Sequence, residues 1–155
     1  MDMQEIEPLL TEAYRAWGDE HTVPETVDGL AIFELRHHVV FPQPYRILLL
    51  RFGPLRFANP VVYGLKQLEW AYPQGVQLIA EYRQQDAGLP DRELFPIGSF
   101  GDGDLLVLEE EGAVFRLYHD GYDESPLEPI APDLPSLLAD MASWALDVNR
   151  RMKEK

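Results

Sequence analysis

Apolar residues of the N-terminal segment recur at helical spacing. Ile6, Leu9, Leu10, Ala13, Tyr14 and Trp17 fall at i, i+3, i+4, i+7, i+8 and i+11, one stripe of an amphipathic helix that Gly18 can close at C′, with Pro8 near its first turn. After a turn-rich stretch from Asp19 to Pro24, Thr26 is placed to cap a second helix through about His38, with Leu30, Ala31, Phe33 and Leu35 inward and Gly29 weakening it. Pro42 and Pro44 punctuate the chain, and Tyr45 to Phe52 then reads as a third helix stopped by Gly53. A loop from Pro54 leads to a short extended piece, Val61-Val62-Tyr63, and Leu65 to Tyr72 is compatible with helix or loop. Gly75 to Gln85 predicts a fourth helix, carrying Val76, Ile79, Ala80 and Tyr82 or Arg83 and ended by Gly88 and Pro90.

The pattern then changes. Leu94 to Ile97, Leu105 to Leu108 and Val114 to Tyr118 are short apolar runs separated by Gly-Asp and Glu-Gly turns, as in an antiparallel meander, with Glu111-Gly112 the clearest hairpin turn. A proline-rich stretch, Pro126 to Pro135, holds an edge strand at Leu127 to Ile130. Asp133 then caps a last helix that buries Leu134, Leu137, Leu138, Met141, Ala145 and Val148 and frays into a charged tail over 149–155. Helices first and strands after argue α+β rather than an alternating parallel sheet. With 155 residues and no repeat or long linker, residues 1–155 are expected to form one domain.

Composition narrows the function. There is no cysteine, which removes disulfides, thiolate zinc sites and a cysteine nucleophile. The N-terminus, MDMQEIEP, is acidic where a secretory signal is basic, and the longest aliphatic run, Ile47 to Leu50, is far short of the roughly 20 residues of a membrane span. A soluble, cytoplasmic protein is expected. Lys plus Arg number 13 against 27 Asp plus Glu, a net charge of −14, which repels phosphate backbones and anionic headgroups and makes nucleic acid and membrane poor partners. The imbalance is uneven: residues 1–29 hold 8 acids and 1 base, residues 91–133 hold 12 and 2, and residues 30–60 hold 1 and 4.

Candidate chemistry is sparse. His37-His38 are neighbours about 100° apart on a helix, whereas two helical ligands of one metal need i, i+3 or i+4, so one histidine is expected to pack and the other to face water. Asp102-Gly103-Asp104 opens like a calcium loop, yet Leu106 and Val107 stand where that loop needs a ligand and a glycine; a tight Gly-Asp turn is the expectation, with an irregular cation site the alternative. His119-Asp120 resembles a base with its orienting carboxylate, and Ser99 or Ser125 is the available nucleophile, but no G-x-S-x-G elbow accompanies them. No phosphate loop, dinucleotide fingerprint or H-E-x-x-H occurs, so no catalytic residue, cofactor or metal is expected. The acids Asp102, Asp104, Glu109, Glu110, Glu111, Asp120, Asp123 and Glu124, with Glu128 and Asp133 beyond them, lie in strands and turns of one expected sheet. Turns at either end of such a sheet can gather them into a field that captures a basic partner, the alternative being a solvated acidic surface.

The order of Phe33-Glu34-Leu35-Arg36-His37-His38, Phe41-Pro42 and Tyr45-Arg46-Ile47-Leu48-Leu49-Leu50-Arg51-Phe52-Gly53 resembles the signature of the SUKH superfamily. The later Phe95-Pro96-Ile97-Gly98, Gly101-Asp102-Gly103-Asp104, His119-Asp120 and the Leu134 to Leu138 helix agree, so that the resemblance covers about 26–142. Phe41 replaces the usual leucine and Pro44 a common acidic residue. The resemblance implies helices around a twisted, mainly antiparallel sheet. It also implies a non-catalytic binding domain which, in the bacterial branch, is an immunity protein that binds a polymorphic toxin, often a nuclease or deaminase. Its motif positions, Glu34, Pro42, Tyr45, Gly53, Gly101 and Gly103, are implied to be structural. The partner is then a basic toxin domain, met by a monomer or weak homodimer. A cytosolic adaptor without a toxin, and a hydrolase with a divalent metal at the Asp102, Asp104 turn, are the alternatives.

Overall fold

The computed structural model describes residues 1–19 and 22–154. Three helices come first, α1 (Met3–Trp17), α2 (Val27–His37) and α3 (Gln43–Arg51), followed by β1 (Val61–Val62), α4 (Leu65–Gln84), β2 (Leu94–Ser99), β3 (Leu105–Glu109), β4 (Val114–Leu117), β5 (Leu127–Ala131) and α5 (Leu134–Lys153). The strands form one antiparallel meander in the order β1-β2-β3-β4-β5. The fold is α+β.

Local chemistry sets the helix ends. Asp2 opens α1 by accepting the Glu5 N–H at 2.9 Å while the Glu5 carboxylate takes the Asp2 N–H at 3.3 Å, a capping box that starts the helix early and leaves Pro8 beyond the first turn where it was expected. Gly18 closes α1 in extended conformation, with φ −65°, rather than in the left-handed region. Thr26 caps α2 through the Gly29 N–H at 3.0 Å, and Asp133 caps α5 through the Ser136 N–H at 2.8 Å. α5 stays helical through Asn149 to Lys153, across the segment expected to fray.

Two expectations about α4 are replaced. Leu65–Gln84 is one continuous helix, with Pro73 inside it on the exposed side. Gly75, taken as a start, lies mid-helix because a β-carbon there would stand 2.6 Å from Pro96 Cγ of β2; the missing side chain lets α4 lie against the sheet. α4 therefore serves two cores. Its first half gives Leu68 and Tyr72 to the main one, with α1, α2, α3, α5 and the sheet residues Phe95, Ile97, Leu106, Leu108 and Val114. Its second half sets Ile79 and Tyr82 against Leu94, Val107 and Leu117. Residues 105–108 alternate between the two cores, which is why β3 reads as an unbroken apolar run.

α2 also departs from expectation. Leu30 and Phe33 are buried, whereas Ala31 is exposed and Leu35 is 77 % exposed. Beyond α2, the buried Tyr45 hydroxyl donates to the Tyr63 carbonyl at 2.6 Å, and burial raises its pKa, keeping it a proton donor. Glu34 accepts the Phe41 N–H at 2.8 Å and Arg46 Nη2 at 2.7 Å, joining α2 to the turn that starts α3. Gly53 ends α3 with φ +88°, and a β-carbon there would lie 2.1 Å from the Val23 carbonyl oxygen. Gly53→Ala is accordingly expected to lower the unfolding free energy by roughly 1–3 kcal/mol, read from the urea midpoint. A wild-type midpoint would show that this turn accommodates a side chain.

Candidate functional site

Antiparallel pairing carries the β2–β3 turn and the β4–β5 connection to the same end of the sheet, since Ser99 pairs with Leu105, Leu105 with Leu117 and Leu117 with Leu127. There Asp104, 3 % exposed, is the centre of a polar cluster. Its carboxylate accepts Arg116 Nε at 2.7 Å, the His119 backbone N–H at 3.0 Å and His119 Nδ1 at 2.5 Å. Asp102 pairs with another guanidinium nitrogen of Arg116 and accepts the Asp104 N–H at 3.1 Å, while Gly103, at φ +98°, makes the turn between them. Gly101 is fastened by its N–H to Asn59 Oδ1 at 3.0 Å. The Arg116 guanidinium lies 4.4 Å from the Phe100 ring centre and 5.1 Å from that of Tyr118, so cation–π contacts add to the ion pairs.

Burial alone would raise the Asp104 pKa, but the hydrogen bonds from the His119 backbone and ring and from Arg116 outweigh it and hold the carboxyl below the usual range. The hydrogen bond to Asp104, helped by the Asp102 carboxylate, outweighs burial and raises the Arg116 pKa. His119 therefore has Asp104 as its carboxylate partner in place of the adjacent Asp120, which is exposed. Ser99 and His119 both line a recess of about 350 Å³ beside Trp70 and Gly103. Among the described residues, however, no hydrogen bond joins a serine to a histidine, and Ser125 Oγ accepts the Leu127 N–H at 3.2 Å. Arg116 holds the place between Asp102 and Asp104 that a cation would take, and among the described residues no three potential metal ligands gather. His37 packs on Phe33 and Tyr72, with its Nε2 at 3.5 Å from Glu69 Oε2, too far for a good hydrogen bond. His38 is exposed and closes α2 at φ +54°.

The eight acids of interest fall at two ends of the sheet. Asp102, Asp104, Asp120, Asp123 and Glu124 share the end just described, and Glu109, Glu110 and Glu111 lie at the other, about 17 Å away along five residues of strand. Arg92 answers two of the second group, reaching Glu109 at 2.7 Å and Glu111 at 2.6 Å. Asp120, Asp123 and Glu124 are exposed and, among the described residues, make no ion pair. In the chain they flank Tyr122, 40 % exposed and edge-on to Tyr82, and Asp123 and Glu124 border a shallow recess of about 780 Å³ with Tyr118 and Glu128. Glu128 accepts the Tyr118 hydroxyl, and Asp133 is occupied as the α5 cap.

Sequence reasoning missed Arg92 and Arg116. The available signal was scarcity, because with 12 acids and 2 bases in residues 91–133 each base has several carboxylates within reach. Among the described residues, no helix is long and apolar enough to cross a membrane. A family model, SMI1 / KNR4 family (SUKH-1), matches residues 24–140. No curated protein matches the chain.

Asp104→Asn is expected to destabilise the fold by about 2–4 kcal/mol, because it leaves Arg116 under-neutralised near a buried site. The pH dependence follows from the sign. A depressed folded-state pKa gives stability that is fully present above the ordinary aspartate value near 3.9 and lost as pH falls through the lower folded value. Asp133, whose pKa is lowered by its hydrogen bonds with Ser136, adds to the same acid limb. Urea titrations below about pH 4 are expected to show a shallower fall for Asp104→Asn than for wild type. Identical slopes would remove Asp104 as the source.

Proposed function

The chain belongs to the SMI1 / KNR4 family (SUKH-1), and on that footing we propose that it is a non-catalytic, cytoplasmic immunity-type protein that neutralises a cognate toxin domain by stoichiometric binding through its acidic surface. The toxin is of the nuclease or deaminase class. Such an enzyme needs a basic groove for its nucleic-acid substrate, and a protein displaying carboxylates can fill that groove in place of phosphates.

One observation carries this reading: the β4–β5 connection presents Asp120, Asp123 and Glu124 without cationic partners among the described residues, around a half-exposed tyrosine. The remaining acids of the sheet contribute differently. Asp102 and Asp104 are tied to Arg116, and Glu109 and Glu111 to Arg92, so their charge is largely answered inside the molecule. Free carboxylates raise the capture rate of a basic partner, and an aromatic side chain among them supplies apolar contact where charge alone gives little affinity. The metal-dependent hydrolase reading lacks such support, because Arg116 neutralises the two carboxylates it needs.

The test is a pull-down from lysate of the source cells across a salt series, followed by kinetics on the captured partner. Retention is expected to fall steeply with ionic strength, and replacing Asp120, Asp123 and Glu124 by Asn, Asn and Gln is expected to slow association roughly 10-fold at low salt with dissociation little changed. A partner held equally at low and high salt, or captured equally fast by the triple variant, would overturn capture by this loop.

A further inference from the structure

α2 is apolar on two faces. Leu30 and Phe33 face the core, while Val27 is 62 %, Ile32 55 % and Leu35 77 % exposed, with Ala31 beside them and Val40, just past the helix, 76 % exposed. Isolated exposed apolar residues are ordinary, but these form two adjacent i, i+4, i+8 ridges, Val27-Ala31-Leu35 and Asp28-Ile32-Arg36. A helix carrying apolar residues on both sides is the pattern of one covered on both sides.

The second ridge is self-complementary: an acid, an apolar centre and a base, four residues apart. We propose that α2 is a homodimer contact, in which a second copy of this chain packs its own α2 antiparallel across this face about a two-fold near Ile32. The two-fold reverses the ridge, so that Asp28 of each copy meets Arg36 of the other at both ends of an Ile32–Ile32 centre. Arg36 is 57 % exposed with one nitrogen on Glu69 at 2.8 Å, which orients the guanidinium and leaves its other nitrogens for the contact. The location suits two acidic molecules, because residues 30–60 are where acid is scarcest, with 1 against 4 bases, and contact there keeps the acidic ends apart. A basic partner drawn to the β4–β5 connection has no electrostatic reason to seek this face. The side chains involved cover less than the roughly 800 Å² per partner of a standard interface, so the contact belongs with weak, transient ones.

Sedimentation equilibrium of the full chain over about 5–500 μM tests this. Wild type is expected to associate with little dependence on salt, since screening relieves repulsion between two molecules of charge −14 each but also weakens the two cross-copy ion pairs. Toxin capture, by contrast, is expected to fade steeply with salt. Leu35→Glu, at an exposed position, is expected to weaken association at least 10-fold while circular dichroism and the thermal midpoint stay those of wild type. Asp28→Lys and Arg36→Glu are each expected to be monomeric alone, and an equimolar mixture of the two to dimerise, because both cross-copy ion pairs are then restored. A monomeric wild type at the highest concentration, or a Leu35→Glu protein that associates normally, would overturn the dimer; a mixture that fails to associate would overturn the antiparallel pairing. Neither result bears on the toxin reading.

Discussion

Asp104 is a carboxylate at 3 % exposure, and a charge so placed has to be answered within hydrogen-bond distance. Arg116 and His119 answer it, and in doing so they join the β2–β3 turn to the end of β4. The consequence reaches beyond the pair. Phe100 and Tyr118 stack on the same guanidinium, Gly103 is held in a left-handed turn, and the β4–β5 connection leaves the sheet from a fixed point. The exposed acids of that connection follow directly on this anchored end of β4.

A chain with 27 acids and 13 bases cannot neutralise itself, so where its arginines go determines where its free charge is. Arg92 and Arg116 each bind two carboxylates, at opposite ends of the sheet, and among the described residues the β4–β5 connection keeps three exposed acids, Asp120, Asp123 and Glu124, without an ion pair. At the other extreme, α2 exposes Val27, Ile32 and Leu35. Carboxylates without partners act at long range and fade with salt, whereas apolar ridges act at contact and are indifferent to it. The surface therefore offers two chemically distinct modes of association on different elements.

Packing explains the departures of α2 and α4 from their sequence pattern. An amphipathic stripe can be assigned to the core only when one side of a helix is apolar, and α2 has Leu30 and Phe33 on one side and Val27, Ile32 and Leu35 on the other. Pro73 and Gly75 normally interrupt a helix. In α4 they do not: Pro73 lies on the exposed side, where water can meet the carbonyl that its missing N–H leaves free, and the bare Cα of Gly75 is what fits against Pro96.

The helix caps at Thr26 and Asp133, the stop at Gly53, the strand runs and their turns, the α+β class and the family resemblance were legible in the amino-acid order, because each depends on a few neighbouring residues or on their order. It also located the acids, but as a group. Their division between two ends of the sheet, the pairing of His119 with Asp104 rather than its neighbour Asp120, and the outward facing of Ala31 and Leu35 came from long-range packing. The reason is range: a cap or turn is settled within about four residues, whereas burial, ion pairing and the choice between two apolar faces depend on what distant strands and helices bring alongside.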